Sequence, residues 1–255
     1  MLIGSDPEVF VTKDNEVIPV CGLIGGDKGK PVELLEGGVL EDNVLAEFNI
    51  TPCSTSTEFI TRHEMVMEQV KQRYNLSFSK KASYTFPEYQ LNQYPQALEF
   101  GCGSDYNALS GIVNPKPSPA NGGFRTAGGH LHIGWSDEGT VTRMQQRKVG
   151  VLCDYFLGLP SVLLDSDTDR RQLYGKAGAI RYKEYGIEYR TLSNFWLFNI
   201  THMDWAFNQA TKAYKSLDKF EEIISKINPD LVQQAINESD VALAESLLEQ
   251  LKEVA

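Results

Sequence analysis

The chain has 255 residues, of which 42% are hydrophobic and 23% are charged, a composition typical of globular proteins. This length is enough to bury a core without disulfide bonds. Acidic residues outnumber basic ones by 34 to 24, and this argues against a general nucleic-acid-binding surface, because such surfaces carry a basic excess.

The cysteines and the apolar segments indicate the compartment. The four cysteines form no Cys-x-x-Cys pair, which favours reduced thiols over a disulfide framework or a zinc knuckle. No basic residue precedes an apolar stretch at the start of the chain, so we expect no secretory signal. The longest apolar tract is interrupted by Asp154 and Pro160 and is not expected to span a bilayer. We therefore expect a cytoplasmic protein.

The first half of the chain predicts short strands and one long helix. Residues 8–50 contain β-rich runs separated by glycine and Asp/Asn turns. Residues 55–74 have helical apolar spacing, with Thr55 and Glu58 placed to form a capping box. Strand-like runs return at LSFSK and ALEFGC, which end at residues 80 and 102.

The second half begins with a loop rich in proline and glycine, which leads directly into a strand containing two histidines. A helix is predicted over about residues 140–159, a strand over IEYRTL, and helices from Trp196 to the end, with Pro229 starting a new one. Strands and helices do not alternate regularly, and short turns join the early strands. This pattern favours an α+β fold built on an antiparallel sheet.

Four strand segments place two polar side chains on one face, because alternate residues of a strand share a face. These pairs are Asp6/Glu8, Glu47/Asn49, His130/His132 and Glu188/Arg190. Two carboxylates roughly 7 Å apart repel by about 2.5 kcal/mol at an effective dielectric constant of 20. A face collecting four acids therefore needs cations, and oxygen ligands mixed with imidazole favour Mg²⁺ or Mn²⁺ and leave zinc open. Any single pair is also typical of a solvated strand.

The residue between the members of each pair should pack on the opposite, apolar side of the sheet. These central residues are Pro7, Phe48, Leu131 and Tyr189.

A basic cluster between residues 170 and 190 predicts an anion pocket, because arginine forks match phosphate and carboxylate oxygens. Its members are Arg170, Arg171, Lys176, Arg181, Lys183 and Arg190. A solvated surface loop is the alternative. Metals beside arginines suit phosphoryl transfer, and no GxxxxGK[ST] motif occurs, so any ATP would be bound by a different fold. The loop from Lys116 to Arg125 is a candidate lid.

The segments GSDPEVF, EFNITP, GGHLHIG and RRQLYGKAGAIRYKEYGIEYRTLSNFW resemble the phage-type carboxylate–amine ligases. That family belongs to the glutamine synthetase and glutamate–cysteine ligase superfamily, and the resemblance covers most of residues 1–200. It implies a curved antiparallel half barrel like the glutamine synthetase catalytic domain, with helices on its back, over residues 1–226. A helical C-terminal extension would follow over residues 227–255.

The resemblance also implies a reaction. ATP and two divalent cations would activate a carboxylate as an acyl phosphate, which an amine then attacks to form an amide bond. The expected partners are small-molecule or peptide acids and amines, with no nucleic acid and no membrane, in the host cytoplasm if a phage encodes the chain.

The strand pairs, the basic cluster and the resemblance together give three sets of candidate residues. The candidate metal ligands are Asp6, Glu8, Glu47, Asn49, His130 and Glu188. The candidate nucleotide-binding residues are Arg125, His132, Arg170, Arg171 and Lys176. The candidate catalytic residues are Arg181, Arg190 and Glu8. The other two histidines, His63 and His202, are expected to be structural.

Other functions stay open at this point. A phosphotransferase of the phosphagen-kinase type would share the fold and stop at a stable phosphorylated product. A non-catalytic protein binding nucleotide or metal on the same fold is a second alternative. A zinc hydrolase using His-x-His is disfavoured, because such sites recruit further histidines and the remaining two lie outside any motif.

Overall fold

A computed structural model describes residues 1–98, 103–115 and 122–254. Its strands are β1 (Leu2–Ser5), β2 (Glu8–Val9), β3 (Val11–Lys13), β4 (Glu16–Ile18), β5 (Val32–Leu34), β6 (Gly37–Asp42), β7 (Leu45–Ile50), β8 (Ser77–Phe78), β9 (Ser83–Thr85), β10 (Tyr106–Asn107), β11 (Phe124–Thr126), β12 (Leu131–Gly134), β13 (Ala179–Lys183) and β14 (Gly186–Tyr189). Its α-helices are α1 (Ser56–Tyr74), α2 (Glu88–Leu91), α3 (Arg143–Cys153), α4 (Leu159–Leu164), α5 (Arg170–Leu173), α6 (Ile200–Lys215), α7 (Phe220–Lys226), α8 (Pro229–Glu238) and α9 (Val241–Lys252).

Two antiparallel sheets form the centre of the fold. The larger has the strand order β1-β12-β14-β13-β10, and the second has the order β2-β7-β6-β5. Asp6 and Pro7 join β1 to β2 and thereby connect the two sheets. Every strand pair among the described residues is antiparallel and no sheet among them closes into a barrel, so the predicted α+β class is confirmed.

The apolar side of the sheets is the core of the protein. Phe48, Leu131 and Tyr189 are almost completely buried, and Pro7 is also buried, as their positions between the polar pairs predict. Helix α1 packs against β6 and β7, while α3 and α6 pack against the larger sheet. Thr55 is the N-cap residue of α1, and its side chain forms the expected capping box with Glu58.

The predicted helix over residues 140–159 is two helices joined by a π-helical turn over Asp154–Gly158. Pro160 explains the wider turn, because proline lacks an N–H and its ring clashes with the carbonyl four residues earlier. The predicted strand at ALEFGC is also wrong where it is described, since Pro95–Leu98 form a 3₁₀ turn. Its remaining residues, 99–102, lie outside the described ones.

The segment after residue 226 packs on the rest of the chain. Val232, Ala235 and Ile236 of α8 are fully buried. The Ile227 carbonyl accepts a hydrogen bond of 2.6 Å from the Tyr155 hydroxyl. Over the part of the chain that the structure describes, no helix combines the length and the apolar character needed to cross a bilayer.

A buried carboxylate links α8 to the strand that carries Glu188 and Arg190. Asp154 accepts hydrogen bonds from the Tyr189 hydroxyl at 2.8 Å, the Gly178 N–H at 2.8 Å and the Gln233 amide at 3.2 Å. Burial raises the pKa of Asp154 to about 7, although these three donors favour the ionised form. The carboxyl is therefore largely protonated below neutral pH.

The raised pKa of Asp154 predicts a pH-dependent stability. The pKa of an aspartate in the unfolded chain is about 3.9, so between about pH 4 and pH 7 only the folded state keeps the proton. The free energy of unfolding therefore falls by up to about 1.4 kcal/mol for each unit by which the pH rises. Asp154→Asn should abolish this contribution, so the variant should gain on the wild type as the pH rises from about 5 to about 7. Urea denaturation at several pH values measures the difference.

Asp218→Asn is the matched control, because Asp218 is exposed and its loss should leave the slope unchanged. Parallel pH profiles for the wild type and Asp154→Asn would mean that Asp154 is already ionised in the folded protein.

Candidate functional site

A cleft of about 500 Å³ opens on the polar face of the two sheets, opposite Leu131 and Tyr189. Seven of the eight paired residues line it, together with three more polar side chains from the hairpin of β13 and β14. They are Asp6, Glu8, Glu47, Asn49, His132, Glu188 and Arg190, with Arg181, Lys183 and Tyr185. The eighth paired residue, His130, lines a smaller cavity next to the cleft.

Strand register brings these side chains together. His132 on β12 pairs with Gly4 of β1 on one side and with Glu188 of β14 on the other. Arg181 of β13 pairs with Glu188 in turn. In the second sheet Glu8 and Glu47 are direct cross-strand partners.

Asp6, His132 and Glu188 form the first of two clusters that can hold a metal. Their ligand atoms lie within 4.8 Å of one another. Asp6 Oδ1 lies 3.0 Å from His132 Nε2, and both atoms are buried, as is Glu188 Oε2. Carboxylate and imidazole donors this close together can bind a divalent cation.

Tyr185 orients the imidazole of this first cluster. Its hydroxyl is hydrogen-bonded to Nδ1 of His132, and the two rings are stacked with centroids 6.0 Å apart. The partner of one ring nitrogen determines what the other can do. With Nδ1 held by Tyr185, Nε2 faces the Asp6 and Glu188 carboxylates, so all three groups can bind the same cation.

Cations surround Glu188, which is completely buried. Arg190 Nη1 donates to Glu188 Oε1, Arg181 Nη1 lies 3.2 Å from the same oxygen, and Lys183 Nζ lies 2.8 Å from Oε2. Burial and Asp6 would raise the pKa of Glu188, but Arg190, His130 and Arg181 lower it to about 2. Glu188 is therefore ionised even without a metal.

Asp6 is held in the ionised form by the two histidines. Burial alone would raise its pKa, but His132 and His130 hold the pKa of Asp6 well below its ordinary value. His130 Nδ1 lies 3.4 Å from Asp6 Oδ1.

Glu8, Asp42 and Glu47 form the second cluster, whose ligand atoms also lie within 4.8 Å of one another. Lys28 Nζ approaches it, at 2.8 Å from Asp42 Oδ2 and 3.8 Å from Glu47 Oε2. Burial, and then the charges of Asp6, Glu8 and Asp42, raise the pKa of Glu47 to about 10, and Lys28 offsets this rise only in part. Without an additional cation, this cluster keeps a proton at neutral pH.

Arg190 is a buried guanidinium fixed on several sides. Besides its bond to Glu188, Nη1 donates to His130 Nδ1 at 3.2 Å, and Nε lies 3.4 Å from Asp105 Oδ2. Arg181 contacts the segment that contains Asp105, because its Nη2 donates to the Gly103 carbonyl at 3.1 Å.

The sequence analysis missed Asp42, Asp105 and Lys28, because none of them lies in a polar strand pair.

The basic cluster is divided in space. Arg181, Lys183 and Arg190 line the cleft, whereas Arg170 lines the smaller cavity. Arg171 lies outside both, since its guanidinium donates to the hydroxyls of Ser161 and Ser239 at 3.0 Å each. Lys176 is exposed and lines neither space. Neighbouring residues of α5 point in different directions, so adjacency in sequence does not place these charges together.

The remaining candidate residues have separate positions. Arg125 lines the smaller cavity and donates to three carbonyls, including that of Ala97 at 2.7 Å. Residues 116–121 of the candidate lid lie outside the described ones. His63 is buried between the Ser5 hydroxyl and the Phe59 carbonyl, which fits the expected structural role.

The two clusters predict losses of different size for the same kind of substitution in metal-free protein. Glu188→Gln leaves Arg190, Arg181 and Lys183 without their buried anion and should lower the free energy of unfolding by about 3–5 kcal/mol. Glu47→Gln replaces a carboxyl that is already protonated at neutral pH, so the loss should stay below about 1 kcal/mol. Urea denaturation at neutral pH with a chelator measures both. Equal losses would contradict the assigned charge states.

A comparison with protein families gives a match over residues 118–253, to the family described as phage phiEco32-like COOH.NH2 ligase, type 2. The match includes β12, β13 and β14, which carry His132, Arg181 and Glu188, and it extends through α8 and α9. No curated protein matches the chain. Because the matched residues make up more than half of the sequence, the chain belongs to the phage phiEco32-like COOH.NH2 ligase type 2 family, a family of carboxylate–amine ligases.

Proposed function

We propose that this protein is an ATP-dependent carboxylate–amine ligase that forms an amide bond through an acyl phosphate and uses two divalent cations, Mg²⁺ or Mn²⁺. The observation that carries the proposal is the presence of two three-residue clusters of metal-ligating groups in one cleft, next to a fixed arginine. The family name supports the ligase class, and the clusters and Arg190 support the phosphoryl-transfer mechanism.

The residues of both clusters fit divalent cations. Five of the six are carboxylates and one is an imidazole, a donor set that suits Mg²⁺ and Mn²⁺. Asp6, His132 and Glu188 would hold one ion, and Glu8, Asp42 and Glu47 the other. Bound cations would neutralise phosphate oxygens and orient the nucleotide. Asn49 lines the same cleft and would contribute from its edge.

Arg190 would stabilise the charge of the phosphoryl group during transfer. Its guanidinium is held by Glu188, His130 and Asp105 before any substrate arrives, which is the preorganisation that makes such donors effective. Arg181 and Lys183 lie on the neighbouring strand and would bind further phosphate oxygens.

The chemistry takes two steps. A carboxylate oxygen of the acid substrate attacks the γ-phosphorus of ATP, and ADP leaves with the electrons of the broken bond. The amine nitrogen then attacks the acyl carbon, inorganic phosphate leaves, and the nitrogen loses a proton. The protein contributes mainly by holding both substrates in position. We further propose that the two joined sheets correspond to the curved half barrel of the glutamine synthetase superfamily.

The decisive experiment is the release of ADP and phosphate from ATP in the presence of Mg²⁺ and a library of acid and amine pairs. The proposal requires that product forms only when both an acid and an amine are present. An acid labelled with heavy oxygen in its carboxylate should transfer that label to the released phosphate. A stable phosphorylated product would instead indicate a phosphotransferase, and ATP binding with no turnover would indicate a non-catalytic protein.

Arg190→Lys tests the mechanism within an active pair. Lysine keeps the charge but loses the planar, two-pronged donor geometry, so the turnover rate should fall by about a hundredfold or more. The affinity for ATP should change much less, because other groups bind the ground state. Rates of ADP release and calorimetric binding of ATP measure the two quantities.

Arg143→Lys is the matched control for this substitution. Arg143 is exposed and lies over the Tyr182 ring at 3.6 Å, outside the cleft, so its replacement should leave turnover unchanged. A similar rate for Arg190→Lys and the control would remove Arg190 from the mechanism.

A further inference from the structure

Lys28 is a cation of the cleft to which the proposed mechanism assigns no role. Its Nζ lies 2.8 Å from Asp42 Oδ2 and 3.8 Å from Glu47 Oε2, and both carboxylates belong to the second cluster. The ammonium of Lys28 is thus the protein's own cation for this cluster. A divalent cation bound by the same carboxylates would repel the ammonium at these distances, because the repulsion between two cations rises as they approach each other.

The exposure of Lys28 distinguishes it from the cations around Glu188. Its side chain is 51% exposed, whereas those of Arg190, Arg181 and Lys183 are 7%, 22% and 32% exposed. A lysine carries its charge on a flexible stem of four carbon atoms. The ammonium of Lys28 can therefore change its partners by rotation of its own side chain.

The backbone that carries Lys28 is held in place. Residues 19–31 form the loop between β4 and β5, which we name the Lys28 loop. The carboxylate of Glu41 on β6 accepts hydrogen bonds of 2.9, 2.8 and 2.7 Å from the backbone N–H groups of Gly22, Ile24 and Gly25. Asp27 Oδ1 accepts two more from the backbone of the following turn, at 2.7 and 2.9 Å. These five hydrogen bonds keep Lys28 at the cleft while its side chain changes partners.

The other groups of the cleft indicate a new partner for the ammonium. Lys28 lines the same cleft as Arg181, Lys183 and Arg190, the groups proposed to bind phosphate oxygens. Carboxylates that hold a divalent cation attract a lysine less strongly, because the cation neutralises them. A nucleotide held by that cation brings the negative charge of its terminal phosphates to the same end of the cleft, and ammonium groups bind phosphate oxygens well.

We propose that Lys28 is an exchangeable cation of the second cluster, paired with Asp42 and Glu47 in the metal-free protein and transferred to a terminal phosphate of the nucleotide when a divalent cation binds. This inference rests on the proposed function, for which it specifies how the site is loaded. Lys28 opposes the binding of the metal ion alone and favours the binding of the nucleotide to the metal-loaded protein. Metal and nucleotide therefore bind cooperatively, with Lys28 as the group that couples them.

Binding of Mn²⁺ without nucleotide, measured at constant pH by electron paramagnetic resonance of the free ion, tests the first half of the exchange. Lys28→Met keeps most of the length of the side chain and removes its charge. The affinity for one of the two Mn²⁺ ions should then rise by about threefold or more, since the competing ion pair is lost. Lys30→Met is the matched control, because Lys30 is exposed in the same loop and lines neither the cleft nor the smaller cavity. It should bind Mn²⁺ as the wild type does.

Calorimetric binding of an ATP analogue with a methylene group between the β and γ phosphorus atoms, at saturating Mn²⁺, tests the second half. Lys28→Met should weaken this binding by about tenfold or more, because a charge-assisted contact is lost. AMP lacks the terminal phosphates, so its affinity should be the same in the variant and the wild type. A lysine with a purely structural role would not shift the affinities for Mn²⁺ and for the analogue in opposite directions. Lys28→Gln should repeat both shifts.

The outcomes distinguish this inference from the proposed function. An unchanged or lower affinity of Lys28→Met for Mn²⁺ would overturn the exchange, even in a protein that forms amide bonds. An unchanged affinity for the ATP analogue, or an equal loss of affinity for AMP, would overturn the transfer to a terminal phosphate. The two opposite shifts in a protein that forms no amide bond would support the exchange and reject the ligase. Melting curves verify that each variant is folded.

Discussion

The register of β12 against β1 and β14 is the constraint on which the candidate site depends. Because side chains alternate along a strand, a slip of one residue would replace His132 and Glu188 in the cleft by Leu131 and Tyr189. The same slip would bring the polar side chains of His132 and Glu188 into the core. The burial of Leu131 and Tyr189 and the polar lining of the cleft therefore depend on the same register, and a slip would disrupt both.

Two different effects reduce the repulsion between the carboxylates of the cleft. The sequence predicts four carboxylates on one face and therefore strong repulsion without metals. Glu188 is paired with Arg190, Arg181 and Lys183, whereas the raised pKa of Glu47 keeps that carboxyl protonated at neutral pH. The metal-free protein thus tolerates the acids, and cation binding would exchange protein charges or a proton for the metal. The cations expected on this face are in part the protein's own Arg181, Lys183 and Arg190, and the binding of metal ions stays a prediction.

Features that follow from local periodicity could be predicted from the sequence, and features that depend on distant contacts could not. The period of two identified Glu47 and Glu188 as cleft residues and Phe48 and Tyr189 as core residues. Asp105 reaches Arg190 from a separate segment, and nothing in its neighbouring residues indicates this. The separation of the adjacent Arg170 and Arg171 likewise depends on where α5 packs, which the charge pattern alone does not specify.

The strand that carries Glu188 and Arg190 is held from both sides, and this explains how the site could be ready before substrates bind. On the cleft side, cations and acids fix both side chains. On the core side, Tyr189 lies between them in sequence and donates to Asp154, which Gln233 of α8 also contacts. A site whose supporting shell is loose loses the geometry that catalysis needs. The C-terminal helices therefore support the strand of the candidate site from behind, and the match of the ligase family extends through this same segment.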